Sequence, residues 1–317
     1  MATPATTQCA PVAIIMFNRP DLTRAVAERV AAANPTAVYL IADGPRPEHP
    51  EDRTACEATR EAVLSIDWPC PVHTVFAETN MGLRERVSSG LDAVFDEVEQ
   101  AIIVEDDCLA DLSFFPYATE LLERYRDEEQ VGVISGNNFL RGSRVTDDSY
   151  FFSADMRIWG WATWGRVWKD FSREGLRHEW SPEEAKRAVS RLSSSGRRRA
   201  LLADAERAHK INSWALPFVL HAQRRGYVSV VPEKNLVSNI GFGASSTHTK
   251  FESFTAEVPS EAISFPLRHP QSIKENTRAG VIEARVSRWQ WIFFPLGHPI
   301  EFFSRVFRYL RLISSKR

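Results

Sequence analysis

Short apolar runs bounded by turn residues recur through the first half of the chain: PVAIIMF (11–17), AVYLIAD (37–43), VHTVFAE (72–78), AIIVEDD (101–107) and VGVISGNNF (131–139). Each has the length and residue types of a β-strand. Between them lie helical patterns: an amphipathic stretch from Asp21 to Ala33, a second from Pro50 to Ile66, and a third in which Leu83, Val87, Leu91, Val94, Phe95 and Val98 recur on one face. Strand and helix in alternation predict an α/β fold, with a mostly parallel sheet flanked by helices. In such a sheet, ligands sit in the crevice beyond the carboxyl ends of the strands. The loops FNRPD, ADGPRP and ETNMG and the acidic end of AIIVEDD are therefore expected to converge.

The alternation stops after residue 139. FFSADMRIWGWATWGRVW (151–168) places Trp159, Trp161, Trp164 and Trp168 within ten residues. Further on, SPEE predicts a helix start, with Ser181 as N-cap, Pro182 at the first helical position and Glu184 closing a capping box. The basic, serine-rich RLSSSGRRRA (191–200) that follows is expected to be exposed. In the last segment, Phe303, Val306, Phe307 and Leu310 share one helical face, and Arg305, Arg308 and Arg311 another. Pro295 and Pro299 argue against a spanning helix. The pattern suits a peripheral membrane contact through 299–317 or a helix packed on the body of the protein. The expected organisation is a domain over 1–280 and an amphipathic C-terminal helical appendage over 281–317.

Composition narrows the class. With 44% hydrophobic and 25% charged residues, the 317-residue chain has the make-up of a globular protein, and a net charge of −2 gives no basic field for nucleic acid. The first residues lack a basic region before their apolar run, so a cytoplasmic protein is expected, with any membrane contact on the inner face. Cys9, Cys56, Cys70 and Cys108 form no C-x-x-C pair and are expected to be reduced thiols.

Glu105, Asp106 and Asp107 stand together at a strand end, where mutual repulsion and lost solvation make them costly without a counter-charge. Carboxylate oxygens alone suit Mg²⁺ or Mn²⁺, shared with phosphate oxygens. Asp107 would face the metal, and Glu105 and Asp106 the hydroxyls of a ribose or sugar; a solvated acidic turn is the other reading. Arg19 could clamp a phosphate, Asp43 could accept a hydrogen bond from a base or ribose, and Gly82 permits a close backbone approach. Taken singly, these three also fit a surface arginine, an Asp-Gly turn and a helix-entry glycine. Of the tryptophans, Trp161 is expected to stack on a sugar, because Gly160 leaves room beside it, and most of the others to be buried.

In order, FNRPDLTR, IADGP, NMGLRERVSSGL, IIVEDDCLADLSFF, ISGNNF, WGWATWGRVW, INSWALPF and VPEKNLVSNIGFGASSTHT span about residues 11–249. This series resembles bacterial haemolysin-like glycosyltransferases of the Rossmann-like GT-A fold. It is more distantly similar to the inverting N-acetylglucosaminyltransferase that initiates complex N-glycan branching. The resemblance implies a nucleotide-sugar donor, with a UDP-sugar favoured, and a hydroxyl of a saccharide or lipid-linked saccharide as acceptor. It puts Arg19 near the diphosphate, Asp43 near the base, Gly82 and Arg84 in the donor-binding set, Glu105 and Asp106 near the ribose or sugar, and Asp107 on the metal. His248, in a loop that closes on the donor, would reach the diphosphate or metal. One departure stands out: where the inverting relative carries its catalytic carboxylate before the tryptophan of INSWALPF, this chain has Ser213. Asp155, Asp204 and Glu206 are the substitute bases, and stereochemistry stays open, with inversion slightly favoured. The competing readings are a nucleotidyltransferase acting on sugar phosphates, which calls for a glycine-rich loop where FNRPD stands, and a non-catalytic carbohydrate-binding or membrane scaffold.

Overall fold

The computed structural model describes residues 8–241 and 258–285. The first half follows the alternation of the sequence: β1 (Val12–Met16), α1 (Pro20–Ala32), β2 (Val38–Ala42), α2 (Pro50–Leu64), β3 (Val72–Phe76), α3 (Leu83–Glu97) and β4 (Gln100–Glu105). Pro20 and Pro50 open their helices, where the fixed φ of proline suits the first turn and its missing N–H costs nothing. All residues of β1 and β2 are buried, as expected for parallel strands covered on both faces. Helix α3 turns Val87, Leu91, Val94 and Phe95 inward, four of the six apolar positions that define its stripe.

The remaining elements are β5 (Cys108–Ala110), α4 (Phe114–Arg124), β6 (Val131–Ser135), β7 (Tyr150–Ser153), β8 (Trp161–Trp164), α5 (Gly165–Glu174), α6 (Pro182–Val189), α7 (Ser195–Ala205), α8 (Ala215–Arg225), β9 (Val228–Pro232) and β10 (Val237–Asn239), followed by a helix over 277–285. Ser181 caps α6 as its sequence implies, accepting from the Glu184 N–H at 3.3 Å. The basic serine-rich stretch runs from the end of α6 into α7, which Ser194 caps by accepting from the Arg197 N–H.

Eight strands form one sheet in the order β3-β2-β1-β4-β8-β6-β9-β7. The pairs β3–β2, β2–β1, β1–β4 and β6–β9 are parallel, and β4–β8, β8–β6 and β7–β9 antiparallel, so the sheet is mostly parallel with its antiparallel pairings in the second half. The fold is thus mixed α/β, a large sheet flanked by helices. Strands β5 and β10 make a separate antiparallel ribbon that pairs Asn239 with Cys108.

The order β3-β2-β1-β4 contains a reversal. From β1 the chain winds outward through β2 and β3, then returns to place β4 on the other side of β1, in register Ile15 to Glu105. The loops leaving β1 and β4 therefore lie side by side at the carboxyl edge of the sheet, where the strand order reverses and doubly wound sheets bind ligands.

Around β8, an aromatic core ties the second half together. Trp161 stacks on Trp214 with ring centroids 5.5 Å apart, and Phe218 lies 5.2 Å from Trp161. Trp168 packs against Trp214 and Phe171 while its indole N–H donates to Asp92 at 2.8 Å. The helix 277–285 crosses residue 280, where the expected domain meets the expected appendage, and its Glu283 pairs with Arg157. Residues 286–317 of the appendage lie outside the described residues.

Candidate functional site

A cleft of about 420 Å³ opens at the β1/β4 reversal. Its walls include Phe17, Asn18 and Arg19 after β1, Asp43 and Arg46 after β2, Asn80 and Gly82 before α3, and Glu105, Asp106 and Asp107 after β4. Asn212, Asn239, Gly241 and Trp159 close it from the second half. The four loops do converge.

The three acids are accommodated in three different ways. The Asp106 carboxylate is buried and accepts from the Phe17 N–H and from Arg19 Nε, both at 3.3 Å, with Arg19 Nη2 also on its Oδ1. Asp107 shares that arginine through Arg19 Nη1, 3.0 Å from its Oδ2, and its Oδ1 accepts from Asn239 Nδ2 at 3.1 Å. Burial pushes the Asp106 carboxyl up to about 6, opposed by Arg19, and pushes Glu105 up to about 8, with Asp107 and then Asp106 adding to the rise. At neutral pH Glu105 is therefore mainly the neutral acid, and its two neighbours share one arginine. That arrangement meets part of the electrostatic demand of the acidic run from within the chain.

Asp43 plays a different part from a free acceptor. Its carboxylate receives the N–H groups of Gly44, Met81 and Gly82 at 2.8, 2.9 and 3.1 Å and Asn80 Nδ2 at 3.1 Å. Those donors match the four acceptor positions of a carboxylate, so Asp43 latches the loop before α3 onto the end of β2. Gly82 follows with φ +79°, a conformation that suits glycine, and a Cβ there would lie 2.9 Å from the Asn212 amide nitrogen. Asn212, the neighbour of Ser213 in INSWALPF, accepts the Arg84 N–H at 3.1 Å and so caps α3.

Several expected residues take other places. Trp161 is in the core, 1% exposed, because β8 runs inside the sheet and the space beside Gly160 is filled by Val237, whose Cγ2 would sit 2.6 Å from a Cβ at 160. Trp159, at the mouth of β8, is the tryptophan that lines the cleft. Arg84 points away, donating from Nη1 to the carbonyls of His209 at 2.6 Å and Ile211 at 3.3 Å. Arg86, which the sequence reading passed over, lines the cleft instead. A signal for it existed, since Gly90 one helical turn later leaves room for its guanidinium.

Of the three proposed bases, Asp155 lines a second hollow of about 820 Å³ that shares the Trp159 wall, and it pairs with Arg197 at 3.1 Å. Asp204 pairs with Arg207 at the end of α7 and Glu206 is exposed there, and neither borders the cleft or the second hollow. His248 lies outside the described residues.

Among the described residues, no group of three or more His, Cys, Asp or Glu side chains is placed to hold a metal by itself. The donor set still fits a hard divalent ion held jointly with a ligand, since Mg²⁺ at nucleotide sites takes one or two carboxylates and completes its shell with phosphate oxygens and water. Gly241 brings the chain directly against this pair, since a Cβ there would fall 2.3 Å from Asp107 Oδ2 and 2.8 Å from Arg19 Nη1. No helix among the described residues is long and apolar enough to cross a membrane.

No protein-family model matches the chain, and no curated protein is significantly similar to it. Solved structures with a partial likeness include HddC from Yersinia pseudotuberculosis, 9% identical with a TM-score of 0.33 over 50% of this chain and 79% of that one. A UDP-glucose pyrophosphorylase complexed with UDP-glucose is 10% identical, with a TM-score of 0.35 over 71% of this chain and 90% of that one. A 4-diphosphocytidyl-2C-methyl-D-erythritolsynthase from Anaerococcus prevotii is 10% identical, with a TM-score of 0.34 over 54% and 78%. Likeness at this level carries no conclusion about the reaction of this chain.

Proposed function

We propose that the protein is a glycosyltransferase that moves a sugar from a nucleotide-sugar donor, a UDP-sugar by preference, to a hydroxyl of a saccharide or lipid-linked saccharide. The observation that supports this most is the meeting of Arg19, Asp106 and Asp107 at the β1/β4 reversal, on the wall of the cleft. In this reading Asp106 holds Arg19 in place, and Arg19 faces the diphosphate. Asp107 would hold a Mn²⁺ or Mg²⁺ ion that, when bound, neutralises the departing diphosphate. The acceptor hydroxyl attacks the anomeric carbon as the bond to the diphosphate oxygen breaks, and its proton passes to a base. Asp155 is the favoured base, because its hollow adjoins the cleft across Trp159 and offers an acceptor somewhere to sit.

Nucleotidyl transfer is the second reading. It is disfavoured because the β1–α1 turn, Phe17-Asn18-Arg19, has no glycine to let backbone N–H groups cradle a triphosphate. In the preferred reading, residues 299–317, outside the described part, hold the enzyme against an anionic membrane surface.

The two enzyme readings separate by product. With a UDP-sugar panel and Mn²⁺, glycosyl transfer releases UDP, and Asp107→Ala should lower that release at least about a hundredfold, the usual scale for losing charge stabilisation in a transition state. Pyrophosphate formed from UTP and a sugar 1-phosphate, with no UDP from any sugar donor, would replace this function by the second. Full turnover in chelator would remove the metal from it.

A further inference from the structure

Arginines border the cleft at three places, and two of them have carboxylates. Arg19 is held by Asp106 and Asp107, and Arg46 by Asp52. Arg86 is different. Its residue is 6% exposed, yet among the described residues no carboxylate lies within ion-pair distance of it. Among the described residues, the guanidinium donates from Nη1 only to the thioether of Met81, at 3.8 Å, and its buried Nε has no partner. Asp43, the acid whose charge it feels, already has its oxygens filled by four other donors.

A buried cation in this state is costly, and burial accordingly lowers the pKa of Arg86, although an arginine keeps its proton in proteins. The side chain is nonetheless given its place. It leaves the first turn of α3 and lies against Gly90, where a Cβ would come within 3.2 Å of its Nη2 and within 2.4 Å of Ile41 Cγ2. The fold thus reserves space for an unpaired planar fork of donors on the inner wall of the cleft, and such a fork matches two oxygens of an anion.

We propose that Arg86 is an anion-binding residue of the cleft and takes a phosphoryl oxygen of a nucleoside diphosphate. Only the nucleoside part of this assignment rests on the function proposed above, since the anion can be tested alone. Arg19 meets the diphosphate with its charge shared by Asp106 and Asp107, and Arg86 adds positive charge that those acids do not consume.

Calorimetric titration of the full chain with inorganic pyrophosphate, UDP and uridine tests it, using the wild type, Arg86→Met, Arg86→Gln and Arg86→Lys. Arg86→Met and Arg86→Gln should weaken pyrophosphate and UDP at least tenfold and leave uridine within twofold, and Arg86→Lys should recover part of the loss. Without ligand, Arg86→Met should melt at or above the wild-type temperature, because an apolar chain of similar length replaces an unpaired charge. Unchanged pyrophosphate binding in Arg86→Gln would overturn the proposal. So would a loss of uridine equal to that of UDP, which would place the contact on the base, or a wild type that binds neither anion. Pyrophosphate binding that depends on Arg86, in a protein that does not bind UDP, would keep the anion site and remove the nucleotide reading.

Discussion

The two halves of the sheet build the cleft from opposite materials. From β3 to β4 the strands are parallel, so the polar ends of their backbones and the loops that follow gather on one edge, and Arg19, Asp43, Asp106 and Asp107 gather with them. From β8 to β7 the connections leave sequence order, and the wall rests on stacked aromatic rings around Trp161 and Trp214. Charge in the first half is held by hydrogen bonds that can be exchanged for those of a ligand. Packing in the second half has no such exchange, so mutation there should cost folding before it costs binding.

The sharpest way to break this contrast is Trp161→Ala. Removing a fully buried indole that packs on Trp214 and Phe218 leaves a cavity, and the expected loss is about 3–5 kcal/mol in urea unfolding. Asp107→Ala, by comparison, should change stability by less than about 1 kcal/mol, because the Arg19–Asp106 pair survives. Equal losses at the two positions would mean that the acidic edge is as much a part of the core as the tryptophans.

Asp43 marks the boundary between the two behaviours and should give the next largest effect. It sits on the charged edge, but its four donors make it structural. Asp43→Ala strands three backbone N–H groups, and about 2–3 kcal/mol should be lost. The loop before α3 should also exchange its amide hydrogens faster. Near-native stability and protection would return Asp43 to the role of a free ligand acceptor.

How legible this was in the sequence follows the same division. The strands and helices through β4 were readable to within a residue or two because each carries its own periodicity, and the edge where Arg19, Asp43, Gly82, Glu105, Asp106 and Asp107 meet follows from parallel topology alone. The exchange of Trp161 for Trp159 was not readable. Whether the gap at Gly160 stays open depends on Val237, which reaches it from a ribbon formed far along the chain. Arg84 and Arg86 differ by two positions on one helix and so face different ways, and only the packing of the 209–212 segment and of Ile41 shows which one meets the cleft. The demand of the acidic run for a counter-charge was legible, but its partial satisfaction by Arg19 was not, because that pairing spans β1 and β4.

A last contrast sets two carboxyl groups close to the same cleft against each other through pH. Asp52 is buried, and hydrogen bonds from Arg46 first, then Asn18, hold its carboxyl down at about 2 against 3.8 for the free group. A depressed folded value gives stability that is present above about pH 4 and lost as pH falls toward 2. The shift corresponds to about 2 kcal/mol at most, reduced to about 1–2 because Arg46 is partly exposed. Glu105 has the opposite sign: with its folded value raised from 4.5 to about 8, the protein loses stability as pH rises from 4.5 toward 8. Urea unfolding of Asp52→Asn and Glu105→Gln at intervals from pH 2 to 8 should therefore meet the wild type at the acid end and depart from it in opposite directions as pH rises. Asp52→Asn should match it at the acid end and fall below it above pH 4. Glu105→Gln should track it near pH 4 and exceed it at pH 8. If Glu105→Gln instead lost stability at pH 8, the carboxylate would be ionised and held by a partner in the folded protein, and the acidic edge would set three carboxylates against the single Arg19.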